Sequence, residues 1–322
     1  MSRVKLEHYV PQSYLKNFSN KKEQVYVYDK GQKKHFSSNI KQIAAEGKYF
    51  HFDKHGEDNP IVNFMNEEQI IEKFFSKEIE GKYKNLLTQI KTRATMTYEP
   101  TFKLAITKDE KADLSFFLAI QMLRTKDVRQ TITDATVKFL SAMYDKGDML
   151  TRKMTSFLDD IKNTDEKTVQ AGMLFDSELT ESISKAISKH IWVFYINTTE
   201  DKFITSDNPI VRNGNIDDQY KSNTGLSSRG VEIAFPISSD LLLVMYEREY
   251  HAELDPCDEK FIILNDENLV LRYNLLQIHH CHKQIFGLND LKPFICKIEV
   301  EFPRLFLGVR SKVDLFYNGK KY

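Results

Sequence analysis

His8, Gln12, Glu46, Gln121, Arg124, Ser206, Asp207 and Asn208 are the side chains whose types and spacing suit chemistry in this sequence. Gln121 and Arg124 lie three apart and share a helix face. A guanidinium there can grip a phosphate or carboxylate with both arms of its fork. A buried arginine also demands a partner, so a structural ion pair fits the same residues. Ser206-Asp207-Asn208-Pro209 follows a strand-like run. Pro209 biases Asn208 away from helix and displays Asp207 at the strand end, although an ordinary Asx-type turn has the same composition. His8 suits acid/base work near neutral pH, and Glu46 by default is a solvated charge.

Gathered into one cleft, these residues describe a metal-dependent hydrolase. His8, Glu46 and Asp207 would be catalytic, with Asp207 and Glu46 holding Mg²⁺ or Mn²⁺ to activate water. Gln12, Gln121, Arg124, Ser206 and Asn208 would hold the substrate, a nucleic acid or another phosphate-bearing ligand. By analogy, a phosphodiesterase or nuclease of this kind would serve as a bacterial toxin or phage-defence effector. On this reading Asp207→Asn keeps the fold and loses activity. The competing reading is a ligand-sensing or partner-binding protein without turnover, in which Arg124 and Asp207 belong to a buried structural network. An open, converging cluster favours the enzyme; Arg124 sealed against one carboxylate favours the scaffold.

Other chemistries find little support. Neither G-x-x-x-x-G-K-[ST] nor G-x-G-x-x-G occurs, and HExxH and CxxC are missing too. Gly225-Leu226-Ser227-Ser228-Arg229 puts Arg229 where a nucleophile elbow needs glycine. His279 and His282 could share a helix face with Cys257 nearby, yet zinc sites usually show tighter paired spacing. Glu232 alternates with Val231, Ile233 and Phe235, which predicts a solvent-facing carboxylate unless that face lines a cleft.

The elements that must carry these residues are legible from periodicity. Residues 11–18 read as a short helix with Tyr14, Leu15 and Phe18 inward, and 25–28 as a strand before a turn at Asp29. Asn59-Pro60 marks another turn. Residues 66–189 turn helical. Thr107 and Glu110 have capping-box spacing, and apolar side chains over 114–123 cover nearly every direction, predicting a helix buried all round. Further amphipathic stretches lie at about 131–145, 150–162 and 176–189. From residue 190 strands dominate. The 191–196 run suits a strand buried on both faces, with 203–205 as its hairpin partner. Residues 231–237 and 241–246 form a second hairpin, 212–229 a polar loop, 266–282 a helix, and 302–313 carries the last strand-like residues. The fold class is α+β: a β-containing segment over 1–65, a helical region over 66–189 and a β-rich region over 190–322, read as a single domain.

The ordered motifs resemble a bacterial family, domain of unknown function 4238. An H-x-V-P-x-x-Y-L-x-x-F opening is met from His8 to Phe18, with Ala45-Glu46 and Tyr49-Phe50 after it. Q-x-x-R-T is met at Gln121 and Arg124, S-D-N-P at Ser206, and F-P-[IL]-S at Phe235. The resemblance spans roughly residues 8–290. It implies one family domain of this length and brings no settled activity.

Composition bounds the remainder. The 46 Lys+Arg balance 46 Asp+Glu, which argues against a general basic grip on nucleic acid. With 41% hydrophobic residues a sizeable core is affordable, so disorder is excluded. Only 12 Gly and 8 Pro leave little material for linkers or phosphate loops. No apolar run approaches the roughly 20 residues that cross a bilayer, and the first residues lack a signal-peptide h-region. With 3 Cys there is no disulfide framework. A cytoplasmic protein with reduced thiols and no membrane contact is expected.

Overall fold

A computed structural model describes residues 6–47, 49–50, 70–96, 102–144, 166–216, 223–306, 316–317 and 320–321. The chain opens with β1 (Glu7–His8), α1 (Gln12–Leu15) and a 3₁₀ turn (Lys16–Phe18). Next come β2 (Gln24–Asp29), β3 (Lys34–Asn39) and β4 (Ala45–Glu46). The helical stretch holds α2 (Ile70–Phe74), a π-helical turn (Phe75–Ile79), α3 (Glu80–Met96), α4 (Lys108–Leu123), α5 (Lys126–Tyr144), α6 (Glu166–Phe175) and α7 (Ser177–Ser188). The β-rich part runs β5 (Ile191–Asn197), β6 (Thr205–Ser206), β7 (Val211–Gly214), β8 (Val231–Ser238), β9 (Leu241–Tyr246), β10 (Lys260–Leu264), α8 (Glu267–His280), β11 (Gln284–Gly287) and α9 (Lys292–Glu301). A terminal hairpin of β12 (Phe316–Tyr317) and β13 (Lys320–Lys321) ends it. The α+β class is met.

The main sheet has the order β10-β5-β9-β8-β7, antiparallel except for the parallel β10/β5 pair. Its strands are apolar on both faces because both faces are covered. Trp192, Phe194, Ile233, Phe235, Leu243 and Met245 join one core with α1, α3 and α4. The alternating Ile191, Val193, Ala234, Leu242 and Val244 join another beneath Val270 and Tyr273 of α8. That first core draws on residues from Tyr9 to Phe286, so all three sequence regions share it.

The predicted pairing of 203–205 with β5 is corrected. β5 pairs with β9 and β10, while β6 joins a second sheet ordered β3-β2-β11-β6. Backbone pairing with β11 satisfies Thr205 and Ser206, and the run is too short to follow the seven-residue β5. The loop expected over 212–229 begins as β7, and residues 303–306 form a 3₁₀ turn. The region after residue 190 also carries two full helices, α8 and α9. Glu232 is only 1% exposed, because α8 covers that face and Arg272 reaches it as an ion pair. The 59–60 turn and the 150–162 stretch lie outside the described residues.

Helix α4 starts with a complete capping box: Glu110 N donates to Thr107 Oγ1 at 3.3 Å, and Thr107 N to Glu110 Oε2 at 2.9 Å. Arg93 clamps the same carboxylate with two bonds of 2.8 and 2.6 Å. Burial of α4 is less complete than periodicity predicts. Leu114, Phe117, Leu118, Ala119, Ile120 and Leu123 are buried, but Phe116 is 40% exposed. It stands with Asp109, Ala112 and Asp113 on one exposed stripe. Leu118→Ala should therefore cost about 2–5 kcal/mol in urea unfolding. Phe116→Ala should cost far less, because much of its ring is already in water.

Candidate functional site

The family-like motifs meet, and they do so chiefly through the backbone of the first strand. β1 pairs antiparallel with β4, and the amides of Tyr9 and Val10 donate to the Ala44 carbonyl at 3.0 and 3.5 Å. Ala44 adopts φ 50°, a left-handed conformation uncommon for a residue with a Cβ. Gln121 Nε2 donates to the Tyr9 carbonyl at 3.1 Å. One turn later, at the C-cap of α4, Arg124 Nη2 donates to the His8 carbonyl. The three-residue spacing thus lets one helix face hold two consecutive carbonyls. Farther along, Tyr14 Oη donates to the Pro236 carbonyl at 2.7 Å and lies 2.7 Å from Thr205 Oγ1. One hydroxyl therefore ties the N-terminal motif to both strand motifs.

Arg124 is 1% exposed. Its Nη1 and Nη2 lie 3.2 and 3.3 Å from Glu80 Oε1, and its guanidinium carbon sits 4.1 Å above the centre of the Phe75 ring. The cation is sealed against a carboxylate, a carbonyl and an aromatic face. His8 Nδ1 is 3.3 Å from Gln12 Nε2. Burial pushes the His8 imidazole below its usual pKa; Glu80 opposes that shift and Arg124 adds to it. Glu7 Oε2 accepts the Phe50 amide at 2.6 Å. Nearby Glu72 is pushed up to about 7 by burial, with Glu80 and Glu7 raising it further and Arg124 opposing. Buried atoms at this junction find no protein partner among the described residues: Glu72 Oε2, Gln121 Oε1, Arg124 Nε and Tyr83 Oη; the His8 ring, by contrast, is held by the backbone of Ile40 and Lys41.

Asp207 lies within electrostatic range of the Tyr9 phenol. It is 1% exposed, and both of its carboxylate oxygens accept backbone amides. His282 N donates to Oδ1 at 2.8 Å, while Lys283 N and Gln284 N donate to Oδ2 at 2.7 and 2.9 Å. Burial lifts its pKa to about 6 against the pull of those amides. Ser206 Oγ lies 2.8 Å from Gln277 Oε1 and 2.9 Å from the Asn208 carbonyl, and Asn208 Nδ2 donates to the His280 carbonyl at 3.1 Å. The S-D-N-P turn thus fastens β6 to the end of α8. That helix stops at His280, so His279 and His282 do not share its face. Glu46 is half exposed and ion-paired with Lys126, whose ammonium lies 4.8 Å from the centre of the Tyr9 ring.

The predicted residues therefore form two groups. His8, Gln12, Gln121 and Arg124 come together with Glu7, Glu72, Glu80 and Tyr83. Asp207, Ser206 and Asn208 brace the turn, with Glu46 at the surface. No three His, Cys, Asp or Glu residues among those described come together as metal ligands. Both Asp207 oxygens accept backbone amides and Glu46 is paired with Lys126, so neither carboxylate of the expected Mg²⁺ or Mn²⁺ pair is free of a protein partner. Sequence reasoning missed Glu80, Glu72 and Glu7, which carry no motif of their own; only the need of a buried Arg124 for a counter-charge pointed toward one of them.

A family model, described as protein of unknown function (DUF4238), matches residues 7–290. The chain belongs to the DUF4238 family. Its matched span includes every motif contact described above. No curated protein and no solved structure gives a significant match. No helix among the described residues is long and apolar enough to cross a membrane.

Two measurements follow from this geometry. Asp207→Asn replaces an acceptor-only group by an amide whose NH₂ would face backbone N–H donors. Urea unfolding should show it about 2–4 kcal/mol less stable, contrary to the expectation that the fold survives intact. Glu72 and Asp207 bind protons more tightly folded than unfolded, so the folded state is favoured at low pH. Their contribution to stability falls as pH rises from about 4.5 to 7 for Glu72 and from about 4 to 6 for Asp207. Glu72→Gln should flatten the decline between pH 5 and 7.5.

Proposed function

We propose that this DUF4238 protein is a binding protein without turnover, which holds a small polar ligand where β1, α3 and α4 meet. The observation that carries the reading is the concentration of buried, partnerless polar atoms around Arg124. Left bare, each would cost about 1–3 kcal/mol, and native interiors seldom tolerate several together. They include a donor (Arg124 Nε), an acceptor (Gln121 Oε1) and two groups able to be either.

The electrostatics select the ligand's charge. Arg124 is one cation among Glu7, Glu72 and Glu80, and it is already paired with Glu80. A phosphate placed there would meet net negative surroundings, so the ligand is neutral or cationic, such as an amine-bearing metabolite. Hydrolysis through Asp207 and Glu46 is the reading this replaces: both Asp207 oxygens accept backbone amides, and Glu46 pairs with Lys126 at the surface.

Native mass spectrometry of the purified full-length chain tests the proposal. A small-molecule adduct should survive gentle desolvation and vanish in Gln121→Leu, while bound waters would be lost from both. A wild-type mass equal to the bare chain would overturn the reading. So would nucleic-acid cleavage that requires Mg²⁺ or Mn²⁺.

A further inference from the structure

The second sheet ends on an open edge. β3 pairs only with β2 and bounds the order β3-β2-β11-β6 on one side. Ile40 N donates to the Glu23 carbonyl at 3.0 Å, and in an antiparallel ladder the hydrogen-bonded residues alternate. Ser38 and Phe36 therefore turn their backbone groups toward β2, while His35 and Ser37 turn theirs outward. Those outward amides and carbonyls find no backbone partner among the described residues. Phe36 stands opposite buried Val27 and is nevertheless 40% exposed, because no strand flanks it on the outer side.

The edge is also the basic end of a neutral chain. Residues 16–41 carry seven lysines against only Glu23 and Asp29, a local charge of +5 where the whole sequence sums to zero. Lys16 and Lys41 share Glu23 at 2.8 and 3.9 Å, whereas Lys21, Lys22, Lys33 and Lys34 are exposed and pair with no carboxylate among the described residues. Asn39 Nδ2 donates to the Lys22 carbonyl at 3.5 Å, which brings the 19–23 turn to the end of β3. An open hollow of about 520 Å³ lies at that turn, walled by Lys16, Lys21 and Lys22. Lysines on a bare edge keep like edges apart, since a second copy would bring the same charge. An acidic strand meets attraction there instead.

We propose that the β3 edge docks an acidic, extended polypeptide segment, which joins the second sheet as a further strand. The outward backbone groups of His35 and Ser37 supply the ladder, and the surrounding lysines select the charge of what pairs with it. Alternate side chains of the incoming strand lie on the Phe36 face and want to be apolar; the others are carboxylates. A nucleic acid would use the lysines but leave the backbone edge and Phe36 unmatched, so the peptide fits more of the surface. The proposal does not rest on the function proposed for the β1 junction.

The probe is a fluorescein-labelled peptide of alternating glutamate and valine, capped at both ends and 6 residues long like β3. Fluorescence anisotropy with the full-length chain should show it binding, whereas the same peptide with lysine in place of glutamate should not bind. Methylating every peptide nitrogen keeps the charge, removes the donors and should raise Kd about tenfold. Ser37→Pro deletes one outward N–H without touching a bond to β2; it should also raise Kd about tenfold, with Tm little changed. Lys34→Glu should raise Kd about fivefold. No binding of the glutamate peptide, equal binding of the lysine peptide, or an unchanged Kd on methylation would each overturn the proposal. Oligothymidylate binding more tightly than the peptide would assign the lysines to nucleic acid instead. The peptide comparisons need no variant, so they decide the matter even where Ser37→Pro folds poorly.

Discussion

The rest of the structure depends on one desolvated cation. Arg124 has no route to water, so everything about it must supply compensation: Glu80 from α3, the His8 carbonyl from β1, and the Phe75 ring from the π-helical turn. A buried guanidinium stripped of one partner is far more costly than an exposed one. The N-terminal strand is therefore not an appendage resting on the helices. It is part of the solvation shell of a charge that α4 cannot bury alone.

That dependence explains why β1, only two residues long, keeps a fixed register. So short a strand has too little ladder to hold itself by pairing with β4. Gln121 and Arg124 take the outward carbonyls, Ala44 takes the inward amides, and Tyr14 fastens the helix that follows to β8. The left-handed Ala44 is a cost accepted in that place, because turning its carbonyl toward Tyr9 and Val10 satisfies both amides.

Much of this was legible in the sequence, for reasons that differ by residue. The capping box at Thr107 and the two-faced β5 are local patterns, and both hold. The Gln121/Arg124 spacing foretold a shared face and a demand for a partner, but not that the partners would be backbone carbonyls plus Glu80. Glu232 reads as solvent-facing because alternation reports one face only; it cannot report α8 arriving from residues 267–280 to cover the other. Phe116 misleads in the opposite sense, since an aromatic side chain at a helix edge adds apparent apolarity without being buried. Asp207 reads as a displayed carboxylate because the three amides that donate to it follow α8, more than seventy residues downstream.

The central place of β11 in the second sheet has a consequence for how the chain is made. β2 and β6 both hydrogen-bond to β11, and the Asp29–Gln284 contact joins residues 255 positions apart. At roughly 5–20 residues per second, a ribosome needs about 13–50 s to travel from one to the other. Throughout that interval the edge of β2 that pairs with β11, over Tyr26 to Asp29, waits for a strand not yet synthesised. Vectorial synthesis therefore leaves the first hairpin open to pairing with a neighbouring nascent chain until the last sixth of the protein has emerged.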